Sequence, residues 1–229
     1  MDTINKVKFM SIWIFIIPFF AINTCLLLIT SFHDLFPNKA HIIHFTFPYI
    51  DGGASISRTA RVFPTYLIFK PAMFLTAYLL IRYWLYLKKI ILNIHGEHKN
   101  LRKILIFGIG SAICLIIHSI FLGIKFDYDL YKLFRRVIML VFIIFEVVAQ
   151  AYLVITLYSI KNKLLSFINL KFLKLKAILV SILVFVMIVS IPIVSMPGNK
   201  HIKHALEWDF FLGVILFYVL TFFMWKKQS

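Results

Sequence analysis

Charge is scarce in this chain, and acid scarcer still. Asp and Glu number 9 in 229 residues, charged residues make up 15%, and 62% are hydrophobic. A soluble domain carries about a quarter charged residues and is nearer half apolar. With so little charge most of the surface has to face something other than water. A bilayer is the solvent that fits, at about 20 apolar residues per helical crossing. Cysteine is nearly absent: Cys25 and Cys114 both sit inside apolar runs. That excludes a disulfide framework and any zinc spacing, and both read as small packed hydrophobes. Strict apolar–polar alternation is also missing, which excludes a membrane barrel. No linker or shift in composition divides the chain. The first apolar run lacks a small-residue cleavage site of the signal-peptide type.

What is present is a set of six apolar runs, at about 9–31, 63–87, 104–124, 137–160, 177–196 and 205–225. Only helices and closed barrels satisfy their backbone in lipid. The expected fold is therefore an all-α integral membrane protein, a six-transmembrane-helix bundle in one domain over 1–229. The net charge of +16 comes from 25 Lys and Arg. These flank the apolar runs, so they read as topology rather than nucleic-acid binding. On one side lie Lys6, Lys8, Lys88, Lys89, Lys99, Arg102, Lys103, Lys161, Lys163, Lys171, Lys174, Lys176, Lys226 and Lys227. On the other lie Lys39, Arg58, Arg61, Lys125, Lys132, Arg135, Arg136, Lys200 and Lys203, with most of the acids. The richer side is expected in the cytoplasm, with both termini. The location expected is integral membrane and multi-pass, in the plasma or inner membrane of a bacterium or an endomembrane of a eukaryote.

The first non-cytoplasmic loop is then the longest outer loop, and it holds "HFTFPYIDGGASISRTARVFP" (44–64). Two readings of it are open. One is a turn that seats the loop on the bundle, with Gly52 and Gly53 supplying backbone freedom. The other is a lipid-headgroup pocket built from Asp51, Gly52, Gly53, Ser55, Arg58 and Arg61, with Glu207 on the same outer face. At the opposite side, Lys161–Lys176 places Leu164, Leu165, Ile168, Phe172 and Leu175 on one helical face. This reads as a short interfacial helix against an anionic cytoplasmic leaflet, or as ordinary positive-inside charge.

Polar groups at membrane depth each need a partner or a job. Glu146 stands near the middle of the fourth run, with Gln150 one turn on. Its candidate partners are Lys70 and His118. It reads as a neutral acid bonded to a neighbouring helix, or as a proton site or substrate anchor. Arg82 is expected to snorkel outward in an aromatic belt of Tyr83, Trp84 and Tyr86. His118 alone on an apolar helix reads as a hydrogen-bonded core residue. His201 and His204 would share a helical face and, with Asp127 or Asp129, could form a metal site, but such triples are common by chance. No nucleophile elbow, zinc-protease helix or phosphate loop is found. No catalytic set, cofactor or metal is required by the sequence.

Three stretches together resemble the Frag/DRAM/Sfk superfamily of six-span proteins, which includes damage-regulated autophagy modulators and GPI-lipid remodelling proteins. They are "FPYIDGGASISRTARVF", "FLTAYLLIRYWLYLKK" and "HALEWDFFLGVILFYVLTFF". The matching positions are Pro48, Ile50, Asp51, Gly53, Phe63, Arg82, Tyr83, Glu207, Trp208 and Thr221. The chain departs from the pattern where a serine is usual before Asp51, and where Ser55-Ile56-Ser57 replaces a proline. The resemblance implies membrane-lipid handling and structural emphasis on Asp51, Gly53, Arg82 and Glu207. The expected function is to bind, sense or help remodel membrane lipid through the outer loop without catalysis. The alternatives are an intramembrane lipid-modifying enzyme and a proton-coupled transporter centred on Glu146.

Overall fold

A computed structural model describes residues 2–124, 128–196 and 198–226. Lys125, Asp127 and Lys227 of the charge pattern above lie outside the described residues. Six long helices follow the six apolar runs: α1 (Asp2–Ser31), α3 (Tyr66–His95), α4 (Leu101–Phe121), α5 (Asp129–Ser159), α7 (Leu170–Ser195) and α8 (Lys200–Met224). Two short helices, α2 (Ile56–Ala60) and α6 (Lys161–Leu164), sit in the connections. Among the described residues, the extended pairing is a single bridge between Ile168 and Trp225.

Five of the long helices are long and apolar enough to cross a membrane: Thr3–Ser31, Leu101–Phe121, Asp129–Ser159, Leu170–Ile193 and Lys200–Met224. They make this chain a multi-pass membrane protein by length and composition. Helix α3 is not among them. It carries Lys70, Arg82, Lys88 and Lys89, which dilute an otherwise apolar run.

The long helices extend past the apolar runs. Helix α5 begins at Asp129 rather than near Val137, so Lys132, Arg135 and Arg136 are helical residues instead of loop residues. Helix α3 likewise continues to His95, where Gly96 at φ 86° ends it and returns an N–H to the Leu92 carbonyl. Hydropathy marks only what lies in hydrocarbon. Helical hydrogen bonding continues beyond it, and Lys and Arg are good helix formers.

Consecutive long helices pack side by side, and α8 closes the sequence by packing on α1. The result is a ring of six. Glycines sit where it is tightest. A Cβ at Gly108 would stand 2.5 Å from the Trp84 ring, one at Gly110 2.8 Å from Phe145, and one at Gly213 2.7 Å from Leu183. Small residues at crossings let helices approach where lipid offers no hydrophobic push between them. Lys8 lies over the Phe222 ring at 4.9 Å, which puts the start of α1 beside the end of α8. The start of α1 and the end of α8 thus share one end of the bundle.

The expected interfacial helix over Lys161–Lys176 does not form. Four helical residues end at Leu164, the chain turns, and α7 starts at Leu170 with Asn169 as its side-chain cap. The turn is held by the chain end: Asn169 donates its N–H to the Met224 carbonyl at 2.8 Å, and Lys226 to that of Phe167 at 2.9 Å. Leu164 and Ile168 are buried, while Leu165 and Leu175 are exposed. Lys176 turns inward and is fully buried. A turn in mid-segment breaks the periodicity on which a single apolar face depends.

Candidate functional site

The outer loop is bound onto the first turns of α8. His201 and His204 donate from Nδ1 to the carbonyls of Asp51 (3.2 Å) and Gly52 (2.9 Å), and Trp208 Nε1 donates to that of Ala54 (2.8 Å). Spacing of three and four places these three side chains on one face of α8. They bind three of the four carbonyls from Asp51 to Ala54, leaving out that of Gly53. Gly52 has φ 60°, and a Cβ there would lie 1.8 Å from the His201 carbonyl oxygen. Only glycine permits that approach. Tyr49 completes the attachment, packing edge-on to Trp208 at 4.9 Å and donating to Asn23 of α1 at 3.2 Å.

Asp51 works inside the loop. Its Oδ1 accepts from the Thr46 hydroxyl at 2.5 Å and the Gly53 N–H at 2.7 Å, and Oδ2 from the Phe47 N–H at 2.8 Å. The Thr46 hydroxyl, helped by those N–H groups and by His201, holds the Asp51 carboxyl below its ordinary range. Asp51, Gly52 and Gly53 therefore shape and seat the loop, and none of them lines either pocket described next.

The other predicted loop residues do line pockets. Beneath the loop a polar pocket of about 350 Å³ is lined by His41, Ser55, Arg58, Arg61, Lys200 and His204, with Ala40 and Val62. No acid lines it. It adjoins an apolar cavity of about 960 Å³ between α1, α3, α4, α5 and α8, and the two share Ser55, Arg61 and His204. The polar end of the larger cavity carries Arg61, Arg135, Arg136, Lys203 and Glu207. Glu207 is engaged already, taking hydrogen bonds from the N–H groups at Ile56 and Ser57 at the start of α2. Ser55 caps that helix, accepting from the Arg58 N–H at 3.2 Å. Arg61 is half-buried beside Arg135 and Arg58; desolvation, then those two charges, pushes its guanidinium below its ordinary range. Three arginines thus crowd the junction of the two spaces.

Deeper in the cavity, Glu146 is buried, but its partners are not Lys70 or His118. It accepts from Ser111 of α4 (Oγ–Oε2, 2.6 Å), Gln150 (3.1 Å) and the Tyr218 hydroxyl of α8. Gln150 also donates to the Val214 carbonyl at 3.2 Å. Lys70 instead reaches the Ile120 carbonyl, near the end of α4, at 3.2 Å. Arg82 is exposed and lies between Tyr78 and Tyr86, bonded to both at 3.1 and 2.6 Å. Tyr83 and Trp84, expected in its aromatic belt, are buried in the core. His118 is buried and lines the cavity with Nδ1 unpartnered among the described residues.

Three features escaped the sequence reading. Arg135 and Arg136 were counted as loop charges, and they line the cavity. Lys176 was lost in a run of lysines; it is buried, donating to Thr221 Oγ1 at 2.8 Å with its ammonium 3.9 Å from the Phe217 ring centre. The histidine pair, a possible metal site by sequence, instead holds the loop, and the three-and-four spacing of His201, His204 and Trp208 marks the helix face that does so. Among the described residues no group of three or more His, Cys, Asp or Glu is placed to hold a metal ion. Compared with known proteins, the chain matches no family model, no curated protein and no solved structure.

Proposed function

We propose that this protein binds an anionic membrane lipid, with the charged head at the outer basic pocket and the acyl portion in the apolar cavity. The observation that carries this reading is the crowding of Arg58, Arg61 and Arg135 where the two spaces meet, with no acid among the described residues lining the smaller one. Like charges held together at a half-buried place are favourable only with an anion between them. The cavity volume falls in the range of small-molecule sites, about 300–1,000 Å³. The resemblance to lipid-handling six-span proteins agrees with this reading and forms part of the proposal. Binding needs no chemistry from the protein itself.

In this reading all six long helices cross the bilayer, with both termini and the exposed Lys161, Lys163, Lys171 and Lys174 facing an anionic cytoplasmic leaflet. Helix α3 packs between α1 and α4, so it passes through the same slab as they do. Of the four charges that dilute its apolar run, the two furthest from its C-terminal end have partners, Ile120 for Lys70 and two tyrosines for Arg82.

The test is native mass spectrometry of protein purified in mild detergent. Arg58→Ala with Arg61→Ala should lower anionic-lipid occupancy about tenfold or more, since hydrogen bonds to charged groups are worth about 1.5–3 kcal/mol each. Arg82→Ala, outside the site, should leave it unchanged. Wild-type occupancy in the double variant, with wild-type thermal stability, rejects the reading.

A second reading, proton exchange at Glu146, is favoured by a count of protons. The Ser111 hydroxyl has one proton and two acceptors in reach, the Gly108 carbonyl at 2.8 Å and Glu146 at 2.6 Å. If it turns to Gly108, Glu146 Oε2 can carry a proton and donate it to Ser111 without losing a contact. Liposomes containing Glu146→Gln protein should then lose any pH-gradient-driven flux that wild type shows; equal flux discards this reading.

A further inference from the structure

We infer that His118 is an inner binding residue, taking the ester linkage of a glycerophospholipid whose phosphate is held by Arg61 and Arg135. The inference rests on the lipid-binding reading and specifies the class of lipid. His118 lies in the last turn of α4, is only 7% exposed and lines the cavity, yet its Nδ1 has no hydrogen-bond partner among the described residues. Nδ1 itself is enclosed, so the ring meets the cavity through its other edge; buried polar groups are ordinarily paired, and an imidazole with no partner of its own leaves that edge to an occupant. Its charged neighbour is Arg135, whose own Nε is a second buried orphan. Arg135 in turn neighbours Arg61. A strip of donors therefore runs inward from the mouth, from Arg58 and Arg61 through Arg135 to His118.

The strip fits one arrangement of chemical groups. Guanidinium groups suit a phosphate, which they bind in a fork. An imidazole N–H suits a neutral acceptor such as a carbonyl. Apart from Thr76, the wall between His118 and Glu146 is apolar; Glu146 lies eleven residues further along α5 than Arg135, or about 16 Å at 1.5 Å per residue. A phosphate, then a carbonyl, then hydrocarbon is the order of groups in an ester-linked glycerophospholipid. An isoprenoid or alkyl phosphate has nothing to offer His118.

The test compares diacyl phosphatidic acid with the dialkyl ether analogue of the same chain length, titrated onto the detergent-purified full chain by native mass spectrometry. Wild type should bind the ester lipid roughly three- to tenfold more tightly, the range of one neutral hydrogen bond. His118→Leu should abolish that preference, and His118→Gln, which keeps an N–H donor, should retain part of it. Arg135→Ala should weaken both lipids alike. Equal binding of the two lipids by wild type, or a preference that survives His118→Leu, overturns the role of His118 and leaves the phosphate site standing. Failure of wild type to bind either lipid overturns both.

Discussion

Replacing Gly52 by alanine tests the attachment of the outer loop to α8 with an internal control. At φ 60° an L-residue costs about 1–2 kcal/mol. The new Cβ would also lie 1.8 Å from the His201 carbonyl oxygen, 2.5 Å from its carbon and 2.9 Å from its Cα, all backbone atoms. Real Cβ contacts essentially never fall under 3.0 Å, so the loop has to lift from α8 by more than an ångström. That displacement breaks the bonds of His201 (3.2 Å) and His204 (2.9 Å) and strains that of Trp208. At about 1 kcal/mol per hydrogen bond, the added loss is about 2–3 kcal/mol. Gly96 is the control: it has φ 86° and nothing within 4 Å of its Cβ, so Gly96→Ala bears the backbone cost alone. With about 2–4 °C per kcal/mol for a chain of this size, Gly52→Ala should melt on the order of 5–10 °C below Gly96→Ala. Fluorescence-detected thermal unfolding in detergent measures both. If the two variants melt together, the three-point contact between loop and helix contributes nothing and the reasoning fails.

The pH dependence of the same loop follows from Asp51. Its carboxyl is held below the ordinary value of 3.8, so its contribution to stability is present at neutral pH and is lost as pH falls below that value. Asp51→Asn should therefore melt lower than wild type near pH 7, with the gap closing as the pH falls below 3.8; a gap independent of pH speaks against this role. Lys176→Met removes a buried amine that has no carboxylate partner among the described residues. Thr221 keeps its own bond to the Phe217 carbonyl at 2.9 Å, so the loss is confined to the one bond that ties α7 into this node, about 0.5–1.5 kcal/mol; the melting temperature should fall by a few degrees, and an unchanged or higher value would show that the amine holds nothing together. Trp208→Phe keeps the ring contact with Tyr49 but strands the Ala54 carbonyl, at about 1–3 kcal/mol; unchanged melting would show that water reaches that carbonyl.

The helices were legible because lipid imposes a simple rule on long apolar runs, and each run did become a helix. Their ends were not, because hydropathy stops at the edge of the hydrocarbon while α5 continues outward through Arg135 and Arg136 to Asp129. Glu146 was visible as an anomaly within its own segment. Its partners were not, since Ser111 and Tyr218 lie 35 and 72 residues away, on helices whose rotation only packing decides. The loop residues were picked out together, but sequence could not separate those that hold the loop, Asp51 to Gly53, from those that line the space beneath it, Ser55, Arg58 and Arg61. That division depends on which carbonyls face α8. The face was encoded in the three-and-four spacing of His201, His204 and Trp208.

Lipid is as apolar as a leucine side chain, so burial alone cannot hold the ring of helices together. Two polar nodes supply what burial cannot. Glu146 joins α5 to Ser111 on α4 and Tyr218 on α8. Lys176 of α7 and Tyr83 of α3 meet at Thr221 of α8, with oxygen–donor distances of 2.8 and 3.4 Å. Tyr83 and Tyr218 pack edge to face at 5.0 Å, which brings the nodes together without pairing the acid with the amine. Between them they reach five of the six long helices, and α1, the sixth, is tied by Tyr49 to Asn23. Glu146 and Tyr218 also line the large cavity. The contacts that fix the rotation of α4, α5 and α8 therefore also form part of the cavity wall, and its shape is set by directional bonds as well as by side-chain volume. Under the lipid-binding proposal, a space lined in that way would favour one class of lipid over another, which a gap left by loose packing would not do.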